Sequence, residues 1–219
     1  MIGDSVFTEE EYERRRREMV ERQIAGRDVT DRNVLDAMRA VPRHRFIPEQ
    51  RRSDAYVDAP VAIGRQQTIS QPYIVASMTE HLQLQPRDRV LEIGTGCGYQ
   101  TAVLAEIAGD VYSIERIAEL ADQARENLQQ LGYHNVSLKI GDGGLGWPEH
   151  APFDAIIITA AAPRMPETLI DQLALGGRMV LPMMTSYGQQ LVRLTRRESG
   201  IEEEYLYAVR FVPMLEDTE

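Results

Sequence analysis

Val90-Leu91-Glu92-Ile93-Gly94-Thr95-Gly96-Cys97-Gly98 sets three alternate glycines directly behind a run that reads as a buried strand, and Glu115 closes the next strand pattern seventeen residues later. Glycine serves where the backbone must turn with positive φ or come within contact of a ligand. A helix beginning at Tyr99 would aim free N–H groups and its positive dipole end at a bound molecule. A carboxylate at the tip of the second strand can accept hydrogen bonds from a ribose diol. Together these features predict a nucleoside-cofactor site built on Gly94, Thr95, Gly96, Gly98 and Glu115.

Outward from this loop, strand and helix patterns alternate. Strands are expected at 89–94, 110–115, 135–140, 153–159 and 177–183, with helices near 99–108, 116–131 and 166–174. β-Branched runs such as Ile156-Ile157-Ile158 imply a parallel sheet covered on both faces. Two later runs, 190–196 and 205–212, flank Ser199-Gly200 and suggest an antiparallel hairpin at the sheet edge. Upstream, Thr8 with Glu11 forms a capping-box signature, a second helix runs from Thr30 to Pro42, and Gln71 opens a third. The stretch 43–69 reads as a long ordered loop, and such loops are usually functional. The expected fold class is α/β: doubly wound and Rossmann-like, mainly parallel, with a C-terminal antiparallel hairpin and an N-terminal helical extension. One domain spans 1–219, with a helical and loop part at 1–85, a cofactor-binding core at 86–183 and the strand hairpin at 184–219.

Composition narrows the function. A chain of 219 residues, 43% hydrophobic, can bury one good core. It lacks any run near the ~18 apolar residues of a membrane span, and its first residues lack the apolar core of a signal peptide, so a cytoplasmic protein with no membrane partner is expected. Its single cysteine, Cys97, excludes intrachain disulfides and cysteine metal clusters. A net charge of −10 argues against nucleic acid as partner. The run Arg14–Arg17 lies between acidic residues on a helix and reads as a solvated face.

Loop spacing bears on the cofactor. The dinucleotide fingerprint is G-x-G-x-x-G, whereas this chain has G-x-G-x-G preceded by Glu92. The tighter loop suits S-adenosylmethionine, which carries no phosphate and whose positive sulfonium favours a nearby carboxylate. An NAD-linked dehydrogenase is the competing enzyme reading. In Gly141-Asp142-Gly143, Asp142 can accept from an adenine amino group or simply close an Asx turn.

The stretch Gly64-Arg65-Gln66-Gln67-Thr68-Ile69-Ser70-Gln71-Pro72 does not follow from cofactor needs. Together with the glycine loop, Phe153–Ala162, Leu175–Met183 and Val209-Arg210-Phe211-Val212-Pro213, it closely resembles the protein-L-isoaspartate O-methyltransferases over about residues 17–214. The resemblance implies S-adenosyl-L-methionine held by Glu92, the Gly94–Gly98 loop, Glu115, Asp142 and Gly143. It further implies Ser70 as the catalytic residue, a substrate lip of Gln67, Thr68 and Ile69 beside it, and isoaspartyl residues of damaged proteins as the substrate; a monomer is expected.

That chemistry agrees with what the sequence lacks. The acceptor would be a free α-carboxylate, ionised at neutral pH with a pKa near ~4, so no strong general base is required. His44, His81, His134 and His150 sit in no base or metal spacing, and no metal is expected. Phe153–Ala162 lacks the Asn/Asp-Pro-Pro-Tyr/Phe clamp of amine methyltransferases. Ser70 lacks a nucleophile elbow. It reads equally as a helix N-cap and as a donor that orients the carboxylate. A catalytically silent module that recognises damaged peptides is the reading from outside enzymology.

Overall fold

The computed structural model describes residues 7–214. Helix α1 (Glu9–Met19) starts at the expected capping box, with the Thr8 side chain accepting from the Glu11 N–H and Glu11 reaching back to the Thr8 N–H. It runs on as π-helix over Val20–Ala25. Helix α2 (Arg32–Ala40) is capped by Asp31. The stretch expected to be irregular instead holds two 3-10 turns and a small antiparallel hairpin of β1 (Val61–Gly64) and β2 (Gln67–Ile69). Its turn residues Arg65 and Gln66 have φ of 50° and 58°. Neither residue type announces that conformation, which costs a non-glycine residue ~1–2 kcal/mol.

Helix α3 (Pro72–Leu82) leads into the alternating core: β3 (Arg89–Ile93), α4 (Tyr99–Ala105), β4 (Asp110–Glu115), α5 (Ala118–Gln130), β5 (Val136–Ile140), β6 (Phe153–Ile158), α6 (Glu167–Ile170) and β7 (Leu173–Thr185). Two further strands, β8 (Gly188–Arg197) and β9 (Gly200–Ala208), complete a seven-stranded sheet of order β5-β4-β3-β6-β7-β8-β9. Strands β5 through β7 are parallel; β8 and β9 are antiparallel. The fold is therefore the Rossmann-like α/β architecture expected. Several boundaries differ: the helix expected at 166–174 is only four residues, because β7 already begins at Leu173, paired with Phe153, rather than at 177, and the last strand runs over Gly200–Ala208 rather than 205–212.

Alternation along the strands feeds two cores. Val90, Val111, Ala155, Ile157 and Val180 face the layer containing α1 to α4 and the apolar side of α5. Leu91, Ile93, Ile156, Ile158, Met179 and Leu181 face the other side, which α6 and Trp147 cover. From β3 the chain runs outward through β4 to β5, then crosses back to add β6 on the other side of β3. In open α/β sheets such a reversal opens a crevice beyond the carboxyl ends of the strands.

Candidate functional site

The glycine loop occupies that crevice. Gly94 has φ +96°, and a Cβ there would run into the Thr159 Oγ1 that donates to the Gly94 carbonyl at 2.8 Å. Glycine is thus required by both backbone and space. Gly98, also left-handed, caps α4, which begins at Tyr99 as expected. Glu115 is buried at the end of β4; its Oε2 accepts the Gly96 N–H at 2.8 Å and its Oε1 the Ile117 N–H at 2.9 Å. A carboxylate oxygen has two lone pairs, so each retains capacity for a further donor.

Above the loop lies a cleft of about 820 Å³, its open side included, with Gly94, Gly96, Glu115, Gly143, Gln67 and Thr68 in its wall. Ile93, Ile114 and Ile117 give it an apolar floor, and Val212, Pro213 and Met214 close it. A Cβ on Gly143 would collide with Ile93 Cγ2, so only glycine lets this turn approach. An apolar slot beside an acid with spare acceptor capacity, reached by bare backbone, fits a nucleoside.

Four expected cofactor residues lie outside the cleft wall: Thr95, which is buried within the loop, Gly98, which caps α4 behind it, Glu92 and Asp142. Glu92 is fully buried beneath the loop and does not line the cleft, which corrects the expectation that it faces a sulfonium. Its Oε2 accepts from Thr101 Oγ1 at 2.5 Å and Ser113 Oγ at 2.6 Å, while Oε1 has no partner. Burial pushes its carboxyl up to about 8, with Glu115 adding to the rise and the two hydroxyls opposing it. It is a largely neutral strut at pH 7, coupled through Ser113 to the Thr95 hydroxyl, 2.6 Å away. Asp142 caps the 3-10 turn Gly143–Leu145, accepting the Gly144 N–H at 2.8 Å, and stays outside the cleft wall.

A second cavity, about 1500 Å³ with its open side, is lined by Thr68, Ser70, Gln71, Ile74, Thr159 and residues 208–212. It shares Thr68, Thr159 and Val212 with the first. Ser70 is half-buried in this second cavity, while Ile69 turns into the core. The cap of α3 is Gln71, whose side chain donates to Asp58 Oδ1 at 2.7 Å, so the helix-cap reading of Ser70 is not met. Helix α3 carries no side-chain cap; Pro72, its first residue, has no N–H, so its first helical N–H groups are those of Tyr73 and of Ile74, a residue of the second cavity's wall.

Sequence reasoning missed the far wall. Thr159 directly follows β6 and touches both cavities, yet nothing distinguishes it from a packing threonine. Residues 209–211 run along β8 because the Gln189 side chain donates to the Phe211 carbonyl at 3.1 Å and accepts its N–H at 2.6 Å. The Ala161 N–H donates to the Val212 carbonyl and the Met214 N–H to the Ala161 carbonyl, both at 2.8 Å, which joins this segment to the stretch that follows β6. None of the four histidines lines either cavity. His44 is stacked on Tyr12, its pKa lowered to about 4 by burial, and Cys97 is buried with its thiol pushed up to about 11 by desolvation. Among the described residues, no group of three or more His, Cys, Asp or Glu is placed to hold a metal, and no helix is long and apolar enough to cross a membrane.

Comparison with known proteins agrees with this geometry. The family model described as protein-L-isoaspartate(D-aspartate) O-methyltransferase matches residues 14–219. A protein-L-isoaspartate O-methyltransferase of Methanoculleus marisnigri is 53% identical over 202 residues, 92% of each chain. One from Picosynechococcus sp. is 54% identical over 199 residues, 91% of this chain and 89% of its own. A solved protein-L-isoaspartate O-methyltransferase superposes with a TM-score of 0.81 at 30% identity, covering 90% of this chain; the match spans 65% of that longer chain. A Plasmodium falciparum structure described as the same kind of enzyme, in complex with S-adenosyl-L-homocysteine, gives a TM-score of 0.80 at 28% identity, covering 91% of this chain and 98% of its own. With its glycine loop, its lip and nearly its whole length matched, this chain belongs to the protein-L-isoaspartate(D-aspartate) O-methyltransferase family.

Proposed function

We propose that the chain transfers the methyl group of S-adenosylmethionine to the free α-carboxylate of L-isoaspartyl residues in damaged proteins and peptides, which starts their repair through a succinimide. Family membership supports the reaction. The observation that carries the assignment of roles is the meeting of the two cavities at Thr68, Thr159 and Val212, with Glu115 in one and Ser70 in the other. S-adenosylmethionine supplies an electrophilic methyl group on a sulfonium.

The chain's own part is placement. Gly94, Gly96 and Gly143 give close backbone approach, Glu115 accepts from a ribose diol, and Thr95 and Gly98 fix the loop. Glu92 and Asp142 act on the same site from behind it, as strut and cap. On the acceptor side, the Ser70 hydroxyl and the uncapped start of α3 orient a carboxylate that is already ionised, so no histidine is needed. Gln67 and Thr68 form the lip that holds the peptide across the junction, and Ile69, expected with them, instead anchors the lip in the core. The apolar wall of Ile93, Ile114, Val212 and Pro213 excludes water, and holding oxygen, carbon and sulfur in line is worth up to ~7–11 kcal/mol. The whole chain is read as one monomeric, cytoplasmic methyltransferase unit: 1–85 carries the lip, 86–183 the cofactor site and 184–219 the edge strands. No role for nucleic acid or membrane is proposed.

Purified protein with labelled S-adenosylmethionine should place base-labile label on an isoaspartyl peptide and not on its normal aspartyl twin. Equal labelling of the two, or none, would overturn the proposal.

A further inference from the structure

The sequence leaves Arg43 among ordinary charged residues, but the structure buries it completely. A guanidinium in the interior is costly unless paired, because the desolvation penalty amounts to several kcal/mol per ion. No carboxylate is paired with it among the described residues; the groups that its charge meets are Tyr99, Cys97 and Tyr56. Nε donates to the Ala55 carbonyl at 2.7 Å, Nη2 donates to the Ser70 carbonyl at 2.7 Å, and Nη1 has no partner. The guanidinium carbon lies 4.8 Å from the ring centroid of Tyr99, the first residue of α4 after the glycine loop. One buried cation thus spans the 3-10 segment at Arg43–Phe46, the lip and the start of the cofactor-loop helix.

The consequence lies in the peptide unit joining Ser70 to Gln71. A trans peptide points its C=O and the following N–H in opposite directions. The only cis bond among the described residues is Ala151–Pro152. With the Ser70 carbonyl drawn inward by Arg43, the Gln71 N–H turns the opposite way, and both residues line the second cavity. A charge-assisted hydrogen bond is roughly twice as strong as a neutral one, and it also polarises the peptide so that this N–H becomes a better donor.

We infer that Arg43 is a positioning residue for the acceptor carboxylate: it fixes the Ser70–Gln71 peptide so that the Ser70 hydroxyl and the Gln71 N–H present a preset pair of donors. The inference rests on the methyl-transfer reading. Arg43 itself touches no substrate. Its uncompensated charge is useful behind the peptide rather than in the cavity, where direct contact with the acceptor would stabilise the carboxylate before reaction and hold back attack.

The test compares Arg43→Met, Arg43→Lys and the unaltered protein in three measurements: kcat and KM with an isoaspartyl peptide, calorimetric affinity for S-adenosylhomocysteine, and amide hydrogen exchange. Removal of the guanidinium should lower kcat about 100-fold, the order seen when one preset donor is lost. S-adenosylhomocysteine affinity should stay within about three-fold. Exchange should quicken over residues 66–72 and not across β3 to β6. Lysine should restore part of kcat, since an ammonium can hold one carbonyl but not the fork. If Arg43→Met does not fold, Arg43→Lys carries the test through the same three readings. Turnover unchanged in a folded variant, or turnover and cofactor affinity falling together, would overturn the inference. Failure of the methyl-transfer reading would instead show as an inactive unaltered protein, with the exchange pattern over 66–72 still deciding what Arg43 does to the lip.

Discussion

Replacing Glu92 by glutamine should stabilise the protein at high pH and leave it nearly unchanged at low pH. The carboxyl is fully buried, and its pKa moves from the ordinary 4.5 up to about 8. An acid whose pKa rises on folding holds its proton more tightly in the native state. Below pH 4.5 both states are protonated and burial carries no ionisation penalty. Between 4.5 and about 8 the unfolded chain releases a proton that the native chain keeps, so stability falls as pH rises. At about 1.4 kcal/mol per pH unit, the loss reaches roughly 3 kcal/mol at pH 7 and roughly 5 kcal/mol above pH 8. Glutamine does not titrate, yet its amide oxygen can accept the same Thr101 and Ser113 hydroxyls. Urea unfolding of both proteins from pH 5 to 8, followed by the fluorescence of the single tryptophan, Trp147, isolates this contribution, since titrating groups not coupled to Glu92 cancel in the difference. The stability gap in favour of the variant should widen by about 3–4 kcal/mol over that range. A gap constant to within about 1 kcal/mol would mean that Glu92 is ionised throughout, and the neutral-strut account would fail.

Two further outcomes concern the cavities. Ser70→Ala should lower methyl transfer by about two orders of magnitude while S-adenosylhomocysteine affinity stays within about three-fold; unchanged turnover would remove Ser70 from the acceptor site. Glu115→Gln leaves one oxygen to serve two backbone N–H groups, and the loss of one bond to a charged group predicts about a ten-fold or greater rise in the cofactor-product Kd by calorimetry. Affinity within about two-fold of the original would contradict the placement of Glu115 as the anchor.

The parallel core was legible because its signals are local and repeated. Val90-Leu91 and Ile156–Ile158 alternate between two buried faces, and the three alternate glycines mark the tight turn after β3. The lip was not legible as structure: a three-residue strand is too short to show a period, and Arg65 and Gln66 adopt left-handed φ without the asparagine or glycine that normally signals such a turn. Burial of charge was invisible for a related reason. Arginine at 43 and glutamate at 92 have the side chains of surface residues, and only the tertiary arrangement reveals that one lies behind the lip and the other beneath the loop. Spacing identified the loop's ligand class, whereas the wall at 209–214 depends on Gln189, whose side-chain amide imitates a strand partner in a way no sequence pattern anticipates.

That far wall has a consequence in time. The growing polypeptide contains every glycine of the loop once Gly98 is made, but Val212, Pro213 and Met214, which close the same cleft, follow more than a hundred residues later. Until they emerge and pair with Ala161, the loop opens onto solvent. Contacts of such long sequence separation form late, after the local units have folded. The cleft thus gains its closing face only when the last strand-following residues of the chain are made, although its glycine loop and Glu115 precede them by about a hundred residues.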